Sequence, residues 1–169
     1  MISTSSQQTN KRPSLSIALA SYNGESYIRE QLDSIARQTR LPDELIIPDD
    51  ASADSTEDIV FGFAQNAPFP VRFQRNNVRF GSTRNFESAI RACNGDIIFL
   101  CDQDDAWYPN KITVIEERFN NATSTGAIFT EADVVDQDLY ALAQRLWSTS
   151  RFSPKEQHRM RLGCYSNTQ

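Results

Sequence analysis

Short apolar runs alternate along the chain with stretches in which apolar residues recur every three or four positions. Leu15 to Ala20 and residues 45–47, 71–73, 97–101 and 127–129 read as strands, and residues 25–38, 55–65, 82–93 and 110–120 as helices. The helical stripes are Ile28, Leu32 and Ile35, then Phe86, Ala89, Ile90 and Cys93, then Ile112, Ile115 and Phe119. Such stripes are the faces a helix buries, so these residues are expected in the core. Asp54 with Glu57 three positions on resembles a capping arrangement, and Gly95 is placed to stop the third helix. Repeated strand-helix alternation predicts an α/β fold, a mostly parallel Rossmann-like sheet with helices on both faces.

The ends of the chain break this pattern. Residues 1–12 are polar, rich in Ser, Thr and Gln, and are expected to form a disordered leader. Residues 13–138 read as the domain. Residues 139–169 read as a basic, partly helical segment, mixing Leu146, Trp147 and Phe152 with Arg145, Arg151, Lys155, Arg159 and Arg161. That segment fits a solvated terminal helix or contact with an anionic membrane surface or a phosphate. His158, the single histidine, lies within it and has no catalytic setting.

Composition narrows the class. With 169 residues, 17 Lys+Arg against 22 Asp+Glu and a formal charge of −5, the chain is one acidic domain. A pI near 4.9 excludes an ordinary nucleic-acid binder. Cys93, Cys101 and Cys164 lack metal-ligand spacing and read as free thiols of a reducing compartment. No apolar run approaches the roughly 18 residues of a membrane span, so a cytoplasmic location is expected.

The chemistry should sit where strands run out. In open parallel sheets, ligands bind outside the carboxyl ends of the strands. Three predicted strands end in polar runs: Ser21-Tyr22-Asn23-Gly24, Asp49-Asp50-Ala51-Ser52 and Asp102-Gln103-Asp104-Asp105. Two carboxylates about 5 Å apart repel by roughly 3 kcal/mol at an effective dielectric near 20, and a divalent cation turns that cost into attraction. The last run is therefore a candidate metal and phosphate site. Neither Gly-x-Gly-x-x-Gly nor a phosphate loop ending Gly-Lys-Ser/Thr is present, which argues against nicotinamide enzymes and phosphate-loop nucleotidases. By spacing alone, Asp49 and Asp50 serve either a ligand or a turn, and Trp107 reads as packing.

The motifs in order resemble the family 2 glycosyltransferases of the GT-A fold. The resemblance rests on Ser21-Tyr22-Asn23-Gly24, Ser34 and Gln38, residues 49–54, and Gly81 with Thr83-Arg84-Asn85-Phe86. It continues through Gly95-Asp96 and Asp102-Gln103-Asp104-Asp105-Ala106-Trp107, with Pro109 and Lys111 behind, and covers residues 14–136. The Asp-Gln-Asp-Asp-x-Trp form is most similar to rhamnosyltransferase-type enzymes of bacterial surface polysaccharides. The resemblance implies an inverting, metal-dependent transferase that moves a sugar from a UDP- or dTDP-type donor to a polysaccharide or lipid-linked acceptor, at the inner face of the plasma membrane. It also implies nucleotide-sugar contacts from Ala20, Tyr22, Asn23, Asp49, Asp50, Arg84, Asp102 and Gln103. Asp104 would bind Mg²⁺ or Mn²⁺ directly, Asp102 through water, with Asp105 supporting them.

Two departures qualify the resemblance. Pro48 falls at the end of a predicted interior strand, where it is expected to distort the pocket edge. Family members place the general base well beyond the metal motif. Asp133 is the candidate here, with Asp136 behind it, and residues 139–169 would begin an incomplete acceptor region. The alternative function is a catalytically incomplete nucleotide-binding remnant or interaction module. A phosphoacceptor domain is disfavoured because Phe129 is followed by Thr130 and Glu131 instead of Lys.

Overall fold

The computed structural model describes residues 12–122, 124–136 and 139–146. The chain divides into two compact units, Met1–Thr123 and Ser124–Gln169. In the first, strands and helices alternate: β1 (Leu15–Ala20), α1 (Ile28–Ala36), β2 (Glu44–Asp49), α2 (Thr56–Ala64), β3 (Val71–Arg75), α3 (Ser82–Ala92), β4 (Ile97–Asp102) and α4 (Lys111–Asn121). All neighbours pair in parallel, in the order β3-β2-β1-β4. The order turns around at β1, so a crevice forms beyond the carboxyl ends of β1 and its neighbours.

Burial follows from that order. Leu15, Ser16, Ile17, Ala18 and Leu19 are all buried, as are residues 45–50, which requires cover on both faces of the two central strands. Helix α3 packs on β1 and β2, and α1 packs with α2. The predicted stripes are buried at Ile28, Leu32, Ile35, Ala89, Ile112 and Ile115. Ile90 is an exception at 40% exposed. Strand β4 is half-covered, with Phe99 and Cys101 buried and Ile98 and Leu100 exposed.

Three local expectations are corrected. Residues 125–132 form neither strand nor helix, so the strand expected at 127–129 is absent, and Phe129 is 69% exposed. A strand needs a partner to satisfy its ladder bonds, and among the described residues no strand pairs with residues 127–129. In that unit β5 (Asp133–Val135) instead pairs antiparallel with β6 (Ala141–Arg145). Pro48 leaves the pocket edge regular, because Ser21 N–H reaches the Pro48 carbonyl at 3.1 Å and Asp50 N–H reaches the Ser21 carbonyl at 2.8 Å. Gly95 does not stop α3, which ends at Cys93 in extended backbone. Gly95 is small because β1 lies against it: a β-carbon there would be 2.6 Å from Ser16 N.

The start of the domain is pinned by charge. Arg12 donates from Nε to Glu116 Oε1 at 2.7 Å and from Nη2 to Oε2 at 2.6 Å. This guanidinium holds the Glu116 carboxyl below its usual range, against an opposing effect of burial and with help from Arg40. The pair's stabilisation is complete above the unfolded carboxyl's pKa of about 4.3 and disappears as pH falls through the lowered folded value. Glu116→Gln is therefore expected to lower the melting temperature at pH 7, with the gap from the unaltered protein closing below about pH 4. Thermal melts across pH 3–7 check this.

Candidate functional site

A cavity of about 260 Å³ opens at the carboxyl ends of the strands. The end of β1 supplies Ala20, Ser21 and Tyr22, the end of β2 supplies Asp50, and the end of β4 supplies Asp102, Gln103 and Asp104. The β3–α3 loop and α3 close the remaining wall with Arg79, Ser82, Asn85 and Phe86. The three polar runs thus meet at one mouth.

The acidic turn is braced from two sides. Gln103 closes its amide on the backbone of Tyr22, accepting from Tyr22 N at 2.8 Å and donating to Tyr22 O at 2.9 Å. Gly24 is small for the same reason, since a β-carbon there would lie 2.8 Å from the Gln103 amide carbon. From beneath, α1 and the turn after it hold the continuation with buried polar groups: Trp107 N donates to Ser34 Oγ, Gln38 Nε2 donates to the Tyr108 carbonyl, and Gln38 Oε1 accepts from Ile112 N. Trp107 is buried against Phe99 and carries the Lys111 ammonium 4.3 Å from its ring centroid, which makes it a packing residue.

The residues after β2 are also bonded into the scaffold. Asp49 is fully buried and accepts from Ser21 Oγ at 2.9 Å, from Ser52 N at 2.8 Å and from Ser52 Oγ. Asn23, at φ 45°, accepts from Ala53 N at 2.9 Å, while its own N–H donates to Ser52 Oγ. Asp50 accepts from Phe80 N and Gly81 N, each at 2.7 Å, and from Asn76 Nδ2 at 3.2 Å. An ionised carboxylate has about four acceptor positions, so Asp50 keeps room for one further donor.

Charge at the mouth is strongly one-sided. Burial, followed by repulsion from Asp105 and Asp104, pushes the Asp102 carboxyl above its usual range. Burial also raises Asp105, although Lys111 opposes it. Among the described residues none of the three carboxylates has an ion-pair partner within 4.0 Å. No described set of three or more His, Cys, Asp or Glu side chains could enclose a metal ion. Asp102 and Asp104 instead present oxygen donors alone to the cavity, a set that suits a hard divalent cation sharing its remaining positions with phosphate and water.

A family model described as glycosyl transferase family 2 matches residues 16–166. The chain belongs to that family. Among curated relatives, this family 2 chain is 33% identical over 104 residues to the abequosyltransferase RfbV of Salmonella typhimurium, covering 60% of the chain and 31% of that protein. It is 38% identical over 98 residues to the dTDP-rhamnosyl transferase RfbG of Shigella flexneri, covering 56% of the chain and 34% of that protein. The chain therefore spans about a third of their lengths. Among solved structures, S. aureus TarS 1–349 in complex with UDP aligns with a TM-score of 0.60 at 21% identity, covering 72% of the chain and 41% of TarS. The mannosyltransferase PcManGT from Pyrobaculum calidifontis, in complex with GDP-Man and Mn²⁺, aligns at 0.58 and 24% identity, covering 75% of the chain and 37% of that protein. These likenesses show the GT-A fold.

In this family 2 chain Ala20, Tyr22, Asp50, Asp102, Gln103 and Asp104 line one cavity. Asn23, Asp49, Arg84 and Asp105 do not line it. Arg84 is exposed on α3, and Asn23 and Asp49 brace the loops behind the cavity wall. In the second unit, Asp133 lies 3.5 Å from Arg145 Nε and Asp136 accepts from Tyr140 N within the hairpin. Sequence reasoning gave no role to Arg79 or Asn85. Arg79 stands 4.0 Å over the Tyr22 ring centroid. Asn85 is buried and donates to the carbonyls of Ser21 and Pro48, tying β1, β2 and α3 together beneath the cavity. Its burial was readable from its place four residues before Ala89 on the inner face of α3.

Proposed function

We propose that this domain binds a nucleotide diphosphate sugar of UDP or dTDP type and that the protein transfers the sugar, with inversion, to a polysaccharide or lipid-linked acceptor. The observation that carries the reading is the meeting of Asp50 with Asp102 and Asp104 at one cavity beside Tyr22. Family membership and the named activity of the dTDP-rhamnosyl transferase relative support a nucleotide-sugar donor.

In this reading Ala20, Tyr22 and Asp50 take the nucleoside, with Asp50 using its remaining acceptor position for an N–H of a pyrimidine base. Asp104 would hold Mg²⁺ or Mn²⁺ directly and Asp102 through water, while Asp105, outside the lining, would support the turn. The ion, when bound, neutralises charge that builds on the departing diphosphate as the sugar gains oxocarbenium character. Gln103 keeps the acidic turn in register with Tyr22, so the two halves of the donor meet fixed walls. Asp133 remains the candidate base for the acceptor hydroxyl. The basic residues from Arg145 onward fit contact with the inner face of the plasma membrane, although residues 147–169, including His158 and Cys164, lie outside the described residues. The leader expected at 1–12 also lies outside them, apart from Arg12.

Calorimetric titration of the chain with UDP and dTDP tests the reading. Binding in Mn²⁺ that weakens about tenfold or more in EDTA is expected. Absence of nucleotide binding under both conditions would overturn it.

A further inference from the structure

The cavity that would receive a diphosphate is lined by three carboxylates, Asp50, Asp102 and Asp104, and among its described lining residues the single cation is Arg79. That guanidinium forms no ion pair with a described carboxylate. It lies on the π face of Tyr22, 4.0 Å from the ring centroid. A cation held by a ring keeps its N–H groups available, whereas one held by a carboxylate has them occupied.

The loop that carries Arg79 is set from across the sheet. Asp50 accepts the two consecutive N–H groups that follow Arg79, those of Phe80 and Gly81, at 2.7 Å each. Gly81 makes this possible with φ 88°, a conformation other residues adopt only under strain. A β-carbon there would meet nothing within 4 Å, so backbone angle and not space explains the glycine. Asn76 completes the grip by bridging Asp50 Oδ1 and Asn85 Oδ1, at 3.2 Å each.

We propose that Arg79 is the diphosphate-binding cation of this cavity and that Asp50 positions it by holding the Arg79–Gly81 loop. The assignment rests on the nucleotide-sugar reading and deepens it. Arg79 would pair with the diphosphate from the side opposite Asp102 and Asp104, so the ligand's charge is met from both flanks. Asp50 would then act on affinity mainly through Arg79, and only secondarily through a base contact.

The test is a double-mutant cycle on the full chain, with affinity for UDP read by calorimetry in Mn²⁺ and affinity for uridine read by ligand-observed NMR. Arg79 is exposed, so Arg79→Ala is expected to melt as the unaltered protein does. It should weaken UDP about tenfold to a hundredfold and leave uridine within about twofold, with Arg79→Lys recovering part of the loss. Asp50→Asn should weaken UDP comparably, yet by clearly less when Arg79 is already alanine, the remainder being its base contact, which the same variant should show with uridine. Additive losses would overturn the positioning role of Asp50. Unchanged UDP affinity in Arg79→Ala, with the unaltered protein still binding UDP, would overturn the assignment of Arg79 and leave the proposed function standing. Failure of the unaltered protein to bind UDP would overturn both.

Discussion

Asp104→Ala is expected to reduce metal-assisted nucleotide binding and sugar transfer by about 10²–10³-fold, the scale of losing a main electrostatic contact to developing charge. Asp104 faces the cavity together with Asp102, and the two supply its oxygen donors from the acidic turn. Removing one leaves Asp102 alone on the cavity side of the turn, and in the proposed reading a hard cation would lose its direct protein ligand. The sharper comparison is with Asp105→Ala. Asp105 lies off the lining and is balanced in part by Lys111, so its loss should act on the turn and cost about tenfold or less. Calorimetry in Mn²⁺ and a donor-consumption assay on both variants provide the check. Equal losses would show that the turn works as a diffuse acidic patch without a defined ligand.

Asp49→Ala is expected to produce the largest loss of stability. Its carboxylate, buried to 0% exposure, is the acceptor for Ser21 Oγ, Ser52 N and Ser52 Oγ. Alanine removes that acceptor from Ser52 N and Ser52 Oγ and leaves Ser21 Oγ only a 3.5 Å contact to the Pro48 carbonyl, in a buried place, which should destabilise the domain by about 3–5 kcal/mol. For a domain of this size that corresponds to a fall in melting midpoint on the order of 10–20 °C. Urea unfolding followed by circular dichroism measures it. Because Asp49 does not face the cavity, nucleotide affinity measured well below the melting range should change far less than in Asp104→Ala. A variant that loses binding while keeping its stability would move Asp49 onto the ligand.

The strand-helix order of the first unit was legible because each central strand is an unbroken apolar run and each helix carries a stripe. Leu15 to Ala20 was delimited to the residue, since Ser14 and Ser21 flank a segment with no polar residue except Ser16. Strand β2 extends beyond the predicted 45–47 because Pro48 pairs with Gln74 and Asp49 with Arg75 and Ser21; both are poor strand residues by propensity, so the extension was not legible. At the site, the acidic runs announced themselves by charge density at strand ends. The division of labour within them did not. Asp49 and Asp50 are neighbours in sequence, but strand alternation turns one into the scaffold and the other toward the cavity wall. Arg79 was illegible for a different reason: the loop that carries it is held at Phe80 and Gly81 by a carboxylate about thirty residues earlier, at the end of another strand, and no local pattern encodes that grip. Arg84, by contrast, drew attention through the family motif and projects from α3 as an exposed residue.

The paired bonds between Gln103 and the main chain of Tyr22 make the two lips of the mouth a single mechanical piece. Any breathing motion that parts them must rupture both bonds together, and small fluctuations are resisted instead of accumulated. A recess braced this way offers an incoming guest a lip whose two sides are already set in register.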